Sequence, residues 1–197
     1  PTVRNVRKAL SYEHLTQLFN AEPKTPEQIR AKDFWFFSYA CNGMNIKDIA
    51  LLKYENIKND TIVFYRAKTL KTAKTDLRPV TVYLTKLSSG IIKKYGNKDK
   101  SPKSYLFPII SDENTEFENH RAIKNFTIFI NKNLKKLAKA NGLTGDISTY
   151  WARHSFATNA IRNGSSMEFV NEALNHSDMK TTKGYFAGFA DEDRKSV

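Results

Sequence analysis

Ser148-Thr-Tyr-Trp-Ala-Arg-His-Ser-Phe-Ala-Thr158, followed by Leu174-Asn-His-Ser-Asp-Met-Lys-Thr-Thr-Lys-Gly-Tyr185, carries more chemistry than any other part of the chain. At helical spacing Tyr150, Arg153, Ala157, Ala160 and Ile161 share one face, so Arg153 falls on the apolar side of its helix. A guanidinium there is either a buried ion-pair partner or a fork held in a partly desolvated wall, the arrangement that clamps phosphate oxygens. Ser165 and Glu168 have the spacing of a capping box for the next helix. Asn175 supplies the left-handed residue that ends that helix and leaves His176 at a sharp corner. Taken singly, His176 reads as a cap or a packed ring and Tyr185 as a core aromatic.

Outward from this region, local signals give the other elements. Ser11 caps a helix running to Asn20, and Thr25-Pro26-Glu27 starts one that carries Phe34-Trp-Phe-Phe37 and stops near Asn42-Gly43. A further helix spans Asn45 to Lys53, with Ile46, Ile49, Ala50 and Lys53 on one side. Two β-rich runs, 61–66 and 80–84, read as an antiparallel pair. Helices follow at 85–95, 117–140, 149–162, 166–174 and 181–186, and no internal repeat is visible. The expected class is α+β, mainly α-helical with a small antiparallel sheet.

Composition narrows the partners. In 197 residues, 32 Lys and Arg stand against 20 Asp and Glu, a net charge of +12. The 40% hydrophobic and 12% aromatic content exceeds that of a disordered basic tail. A folded domain that favours polyanions is expected. The basic residues cluster at 66–78, 93–103 and 132–139. The first cluster holds five (Arg66, Lys68, Lys71, Lys74, Arg78) against one acid, Asp76. Each cluster alone reads as a solvated face, but three of one sign in different elements suit a groove along a phosphate backbone. The apolar run at Phe34 is far short of the ~20 residues of a membrane span, so no membrane association is expected. The single Cys41 favours a reducing setting. A start at Pro1 without methionine reads as a trimmed piece, with residues 1–8 as the end of an interdomain linker and 9–197 as one domain.

Together these residues resemble the tyrosine recombinase (phage-type integrase) family. Arg153-His-Ser-Phe-Ala-Thr158 matches the family's core, and Asn175-His176-Ser177 with Thr181-Thr182 and Tyr185 matches its ending. Gly43-Met-Asn-Ile-Lys-Asp-Ile49 is similar to the family's Gly-Leu-Arg-Ile-x-Glu-Leu segment, and Arg66-Ala-Lys-Thr69 to its β-hairpin lysine motif. Two positions depart from the pattern: Asn45 stands at the first arginine, and Tyr150 at the first histidine of His-x-x-Arg. The resemblance implies the tyrosine recombinase catalytic-domain fold, with the family's amino-terminal core-binding domain absent from this chain.

It further implies DNA cleavage and rejoining through a 3′-phosphotyrosyl intermediate, without metal, ATP or other cofactor. Tyr185 would be the nucleophile, with Arg153, His176 and Tyr150 as donors to the phosphate and Lys68 as general acid. Lys71, Lys74, Arg78 and His154 would add to the DNA-binding surface. If Lys68 lies on a strand, Arg66 projects from the same face and can replace the charge missing at Asn45. Expected partners are double-stranded DNA, further copies in a tetrameric synapse on DNA, and accessory DNA-bending proteins, in a cytoplasmic, nucleoid-associated setting. The tail after Tyr185 is expected to dock onto a neighbouring protomer. A binding module of the same fold without chemistry and a type IB topoisomerase-like enzyme stay open as alternatives.

Overall fold

Helix α2 (Pro26–Ala40) starts where Thr25 accepts from the Gln28 N–H and Pro26 occupies the first turn. All four members of its aromatic run, Phe34 to Phe37, are buried. Four consecutive apolar side chains point all round a helix, so this stretch must be enclosed, and α2 has packing on two sides. The computed structural model describes residues 9–72, 78–176 and 179–186.

On one side Phe34 and Phe37 meet Phe107, and Phe34 also meets Phe126, edge to face at 4.9–5.2 Å. Here α2 packs with α3 (Ile46–Leu51), α5 (Lys86–Tyr95) and α6 (Glu116–Ala140) around the inner face of the sheet. On the other side Trp35 and Phe36 pack with α1 (Tyr12–Asn20) and the C-terminal half of α6, through Leu15, Leu18, Leu134 and Leu137. Trp35 Nε1 donates to the Ser148 carbonyl at 3.0 Å, fixing the start of α7 (Thr149–Arg162) on this core. A third, smaller cluster joins Ala157 of α7 to Val170 and Leu174 around α8 (Met167–Ala173) and to Tyr185 of α9 (Met179–Phe186).

The sheet is antiparallel in the order β1 (Ile57–Lys58), β2 (Thr61–Phe64), β3 (Val80–Tyr83), with Ile62 opposite Val82. Ile62, Phe64, Val80 and Val82 face inward and their neighbours outward, the period-2 pattern of a one-sided sheet. The expected pair is therefore present, with β1 added across the Asn59-Asp60 turn.

Three local readings change. The helix expected to reach Lys53 ends at Leu51, because the Leu52 carbonyl accepts from the Leu106 N–H and draws the chain into an extended path. The cap of α8 is Ser166, which accepts from the Phe169 N–H, rather than Ser165, whose N–H closes the preceding turn on Ala160. Most consequential, Arg66 and Lys68 do not share a strand. The strand stops at Phe64, and Asp48 accepts the Ala67 N–H at 2.9 Å, so the chain turns at once into α4 (Ala67–Thr72). The linker reading of 1–8, the centre of the basic loop and the tail from 187 onward lie outside the described residues.

Candidate active site

The end of α8 is the hub of the site. Asn175 adopts φ 46°, the left-handed conformation expected of it, and the His176 N–H returns to the Asn171 carbonyl at 3.0 Å. The last carbonyls of a helix lack partners within it and carry its negative dipole end, so they attract cationic donors. Two arrive from far away in the chain. Arg66 Nη1 donates to the Leu174 and Asn175 carbonyls at 3.0 and 2.9 Å, and Arg153 Nη2 donates to the same Leu174 oxygen. The two guanidiniums thus meet at one atom.

Arg153 lies on the inner face of α7, 6% exposed, as its helical spacing implies. Its other arm, Nη1, donates to the Gly43 carbonyl at 3.3 Å. That approach requires glycine: Gly43 sits at φ +67°, and a Cβ there would lie 2.5 Å from Arg153 Cα. Burial, and then the adjacent Arg66 charge, bring the Arg153 guanidinium down to about 10, leaving it charged at neutral pH. Asp48 offsets the paired cations. It is 5% exposed, with Oδ2 4.0 Å from Arg66 Nε while Oδ1 holds the start of α4. Burial pushes its carboxyl up, against the pull of the Ala67 N–H, Arg66 and Arg153.

Tyr185, 7% exposed, lies between two imidazoles. The His176 ring is parallel to it at 6.3 Å and the His154 ring is tilted at 5.4 Å. His154 in turn meets the Tyr150 ring edge-on at 4.4 Å, and Tyr150 is 52% exposed. Burial first, then the charges of Arg153, Arg66 and Lys68, bring the His176 imidazole down to about 4. Beside this cluster opens a cleft of 330 Å³ lined by Asn45, Asp48, Lys68, Thr127 and Tyr150. Asn45 caps α3 through its backbone only, its side chain making no cap hydrogen bond.

The structure therefore gathers Arg66, Arg153, His154, His176 and Tyr185, with Tyr150 at their rim. It sets the exposed Lys68 on the wall of the adjoining cleft. Arg78 is exposed, and its carbonyl accepts from the Asn175 side chain at 3.3 Å, tying the end of the basic loop to the site. The Lys71 side chain and all of Lys74 lie outside the described residues.

Residues 8–191 match the sequence pattern of the phage integrase family. The chain belongs to that family. Tyrosine recombinase XerC of Pediococcus pentosaceus is 27% identical over 143 residues, 73% of this chain and 45% of its own length. Tyrosine recombinase XerD of Lacticaseibacillus casei is 43% identical over 54 residues, 27% of this chain and 18% of its own. The chain thus spans less than half of either relative. XerH site-specific recombinase, solved bound to its palindromic difH substrate in a post-cleavage complex, superposes with a TM-score of 0.63 at 18% identity, covering 97% of this chain and 53% of that one. The catalytic domain of bacteriophage HP1 integrase gives 0.56 at 16%, covering 91% and 86%. At such identities the superpositions speak for the fold alone, and it is the mainly helical fold with a small antiparallel sheet.

In this phage integrase family chain, three features of the site were missed in the sequence: Asp48 as the counter-charge, the Leu174 carbonyl as the hub, and Thr182 with Asn171 behind His176. Asp48 stood within a recognised segment, and its position opposite a basic motif was the available signal. Thr182 stood in the ending motif with no role given to it.

Proposed function

We propose that residues 9–197 are the catalytic domain of a site-specific DNA recombinase that cleaves and rejoins strands through a phosphotyrosyl link. The observation that carries this reading is the meeting of Arg66 and Arg153 at the Leu174 carbonyl beside His176 and Tyr185. Fixed cationic donors around a phenol are what phosphodiester transfer demands. They stabilise charge on the non-bridging oxygens and favour attack by the phenolate.

In this reading Tyr185 attacks the scissile phosphorus. The bond to the 5′-oxygen breaks, a 3′-phosphotyrosyl link forms, and Lys68 gives the leaving oxygen its proton from the cleft wall. Arg66, Arg153, His176 and Tyr150 hold the phosphate. Arg66 supplies the charge absent at Asn45, by converging on Arg153 rather than by sharing a strand face with Lys68. The bond energy is retained in the phosphotyrosine, so rejoining needs neither ATP nor a metal. The substrate is double-stranded DNA, gripped by Lys71, Lys74, Arg78 and His154 among others. Strand exchange takes place between copies assembled as a tetrameric synapse, with accessory DNA-bending proteins where the site requires them.

A nicked DNA substrate that traps the covalent intermediate tests the reading. Wild-type protein should yield a protein–DNA adduct on a denaturing gel, and Tyr185→Phe should bind the same DNA and yield none. An adduct that persists in Tyr185→Phe removes Tyr185 from the role.

A further inference from the structure

The side chains behind His176 fix where its proton resides. The Asn171 amide nitrogen donates to the His176 carbonyl at 3.2 Å. The flipped amide would set two carbonyl oxygens against each other at that distance, so the Asn171 oxygen is the atom that faces Thr182. Thr182 Oγ1 lies 2.7 Å from that oxygen and 3.0 Å from His176 Nδ1. A carboxamide oxygen cannot donate, so the one hydroxyl proton is spent on it, and the hydroxyl can only accept from Nδ1. Thr182 is 0% exposed, which excludes solvent from this exchange.

We infer that Thr182 and Asn171 are positioning residues that hold the His176 imidazole with its proton on Nδ1, so that Nε2 meets the substrate phosphate as a bare lone pair. The consequence for catalysis rests on the proposed role of His176 as a phosphate ligand. A neutral imidazole carries one N–H, and this one is turned away from the phosphate. To donate to a phosphate oxygen, Nε2 must first take a proton from water and become imidazolium. Arg153 and His154 of α7, Arg66 beside α4, and Lys68 on α4 oppose that uptake in the free protein, with Tyr185 of α9 stacked alongside. An entering phosphate counters those charges and permits it. Seating the scissile phosphate is thereby coupled to the uptake of one proton.

Two-bond proton–nitrogen correlation spectra of the free protein read the tautomer directly. The His176 signals are assigned by their loss in His176→Gln. The wild-type ring should show a protonated Nδ1 and a bare Nε2, and Thr182→Ser should keep that pattern. The near-isosteric Thr182→Val, which offers Nδ1 no acceptor, should move the proton to Nε2. A wild-type ring protonated on Nε2 overturns the inference without recourse to any variant, and so does a Thr182→Val ring that keeps its proton on Nδ1. The second readout is single-turnover cleavage over about pH 6 to 8. The wild-type rate should fall on the alkaline side as Nε2 loses its proton. Thr182→Val, with a neutral Nε2–H donor, should lack that fall. Profiles of the same shape overturn the proton-uptake step. Absence of cleavage by the wild-type protein at every pH defeats the functional reading instead, and the spectra still decide the tautomer.

Discussion

The aromatic centre around Phe34 and the corner around Leu174 are held together in opposite ways. At the first, Phe34, Phe37, Phe107 and Phe126 interlock edge to face through apolar surface, with no hydrogen bond between them. Each such ring stabilises the fold by about 1.5–3 kcal/mol through burial alone. At the second, the buried Arg153 and the partly buried Arg66 are received by carbonyl oxygens and, for Arg66, by Asp48, with defined geometry. Burying such charges contributes little or nothing to net stability. The first region keeps the chain folded, and the second spends part of that stability to hold positive charge in place.

The sharpest way to break this comparison is to empty one position in each region. Phe34→Ala should cost about 3–5 kcal/mol of folding free energy, seen as a lowered denaturation midpoint, with cleavage by the remaining folded fraction unchanged. A cost below about 1 kcal/mol would mean the aromatic centre is not what keeps the chain folded. Arg66→Ala should do the reverse. Its cleavage rate at saturating DNA should fall on the order of 10²–10³-fold, the scale of one lost oxyanion donor, while the fold survives. Asn45→Arg in that background should recover activity if both positions serve the same phosphate. An Arg66→Ala defect confined to DNA affinity would reduce Arg66 to a distant phosphate contact.

A smaller effect sharpens the contrast through pH. In the unfolded chain the imidazole titrates near its ordinary value of about 6.5, whereas His176 in the fold is held at about 4. Between those values the unfolded chain binds a proton that the folded chain refuses, so stability falls as pH drops through that window. Asp48, whose carboxyl is raised, contributes with the opposite sign, so the difference between wild type and His176→Gln is the quantity to measure. Denaturation midpoints at about pH 7 and about pH 5 should converge in His176→Gln relative to wild type. An equal pH dependence in the two proteins would contradict a depressed imidazole.

What could be read in the sequence follows the same division. The bounds of α7, the left-handed Asn175 and the inward face of Arg153 were legible because caps and helical period act within a few residues. The antiparallel β2–β3 pair was legible for the same reason. Strand β1, two residues long, is too short for an alternating pattern to register. Arg66 and Lys68 were placed on one strand face because no local signal announces that Asp48, 19 residues earlier, captures the Ala67 N–H and starts a helix. The convergence of Arg66 on Leu174 spans 108 residues and depends on tertiary packing, which a residue pattern does not display. The motif nonetheless placed Arg66 near the site, by a geometry other than the one expected.

The shared Leu174 carbonyl also sets an order of events during synthesis. Arg66 leaves the ribosome 108 residues before its anchor, and Arg153 leaves 21 residues before it. Until α8 emerges, both guanidiniums lack the oxygen that orients them, and Tyr185 is made later still. A chain interrupted ahead of Leu174 has neither the anchor that aligns its two arginines nor the phenol that the proposed function requires.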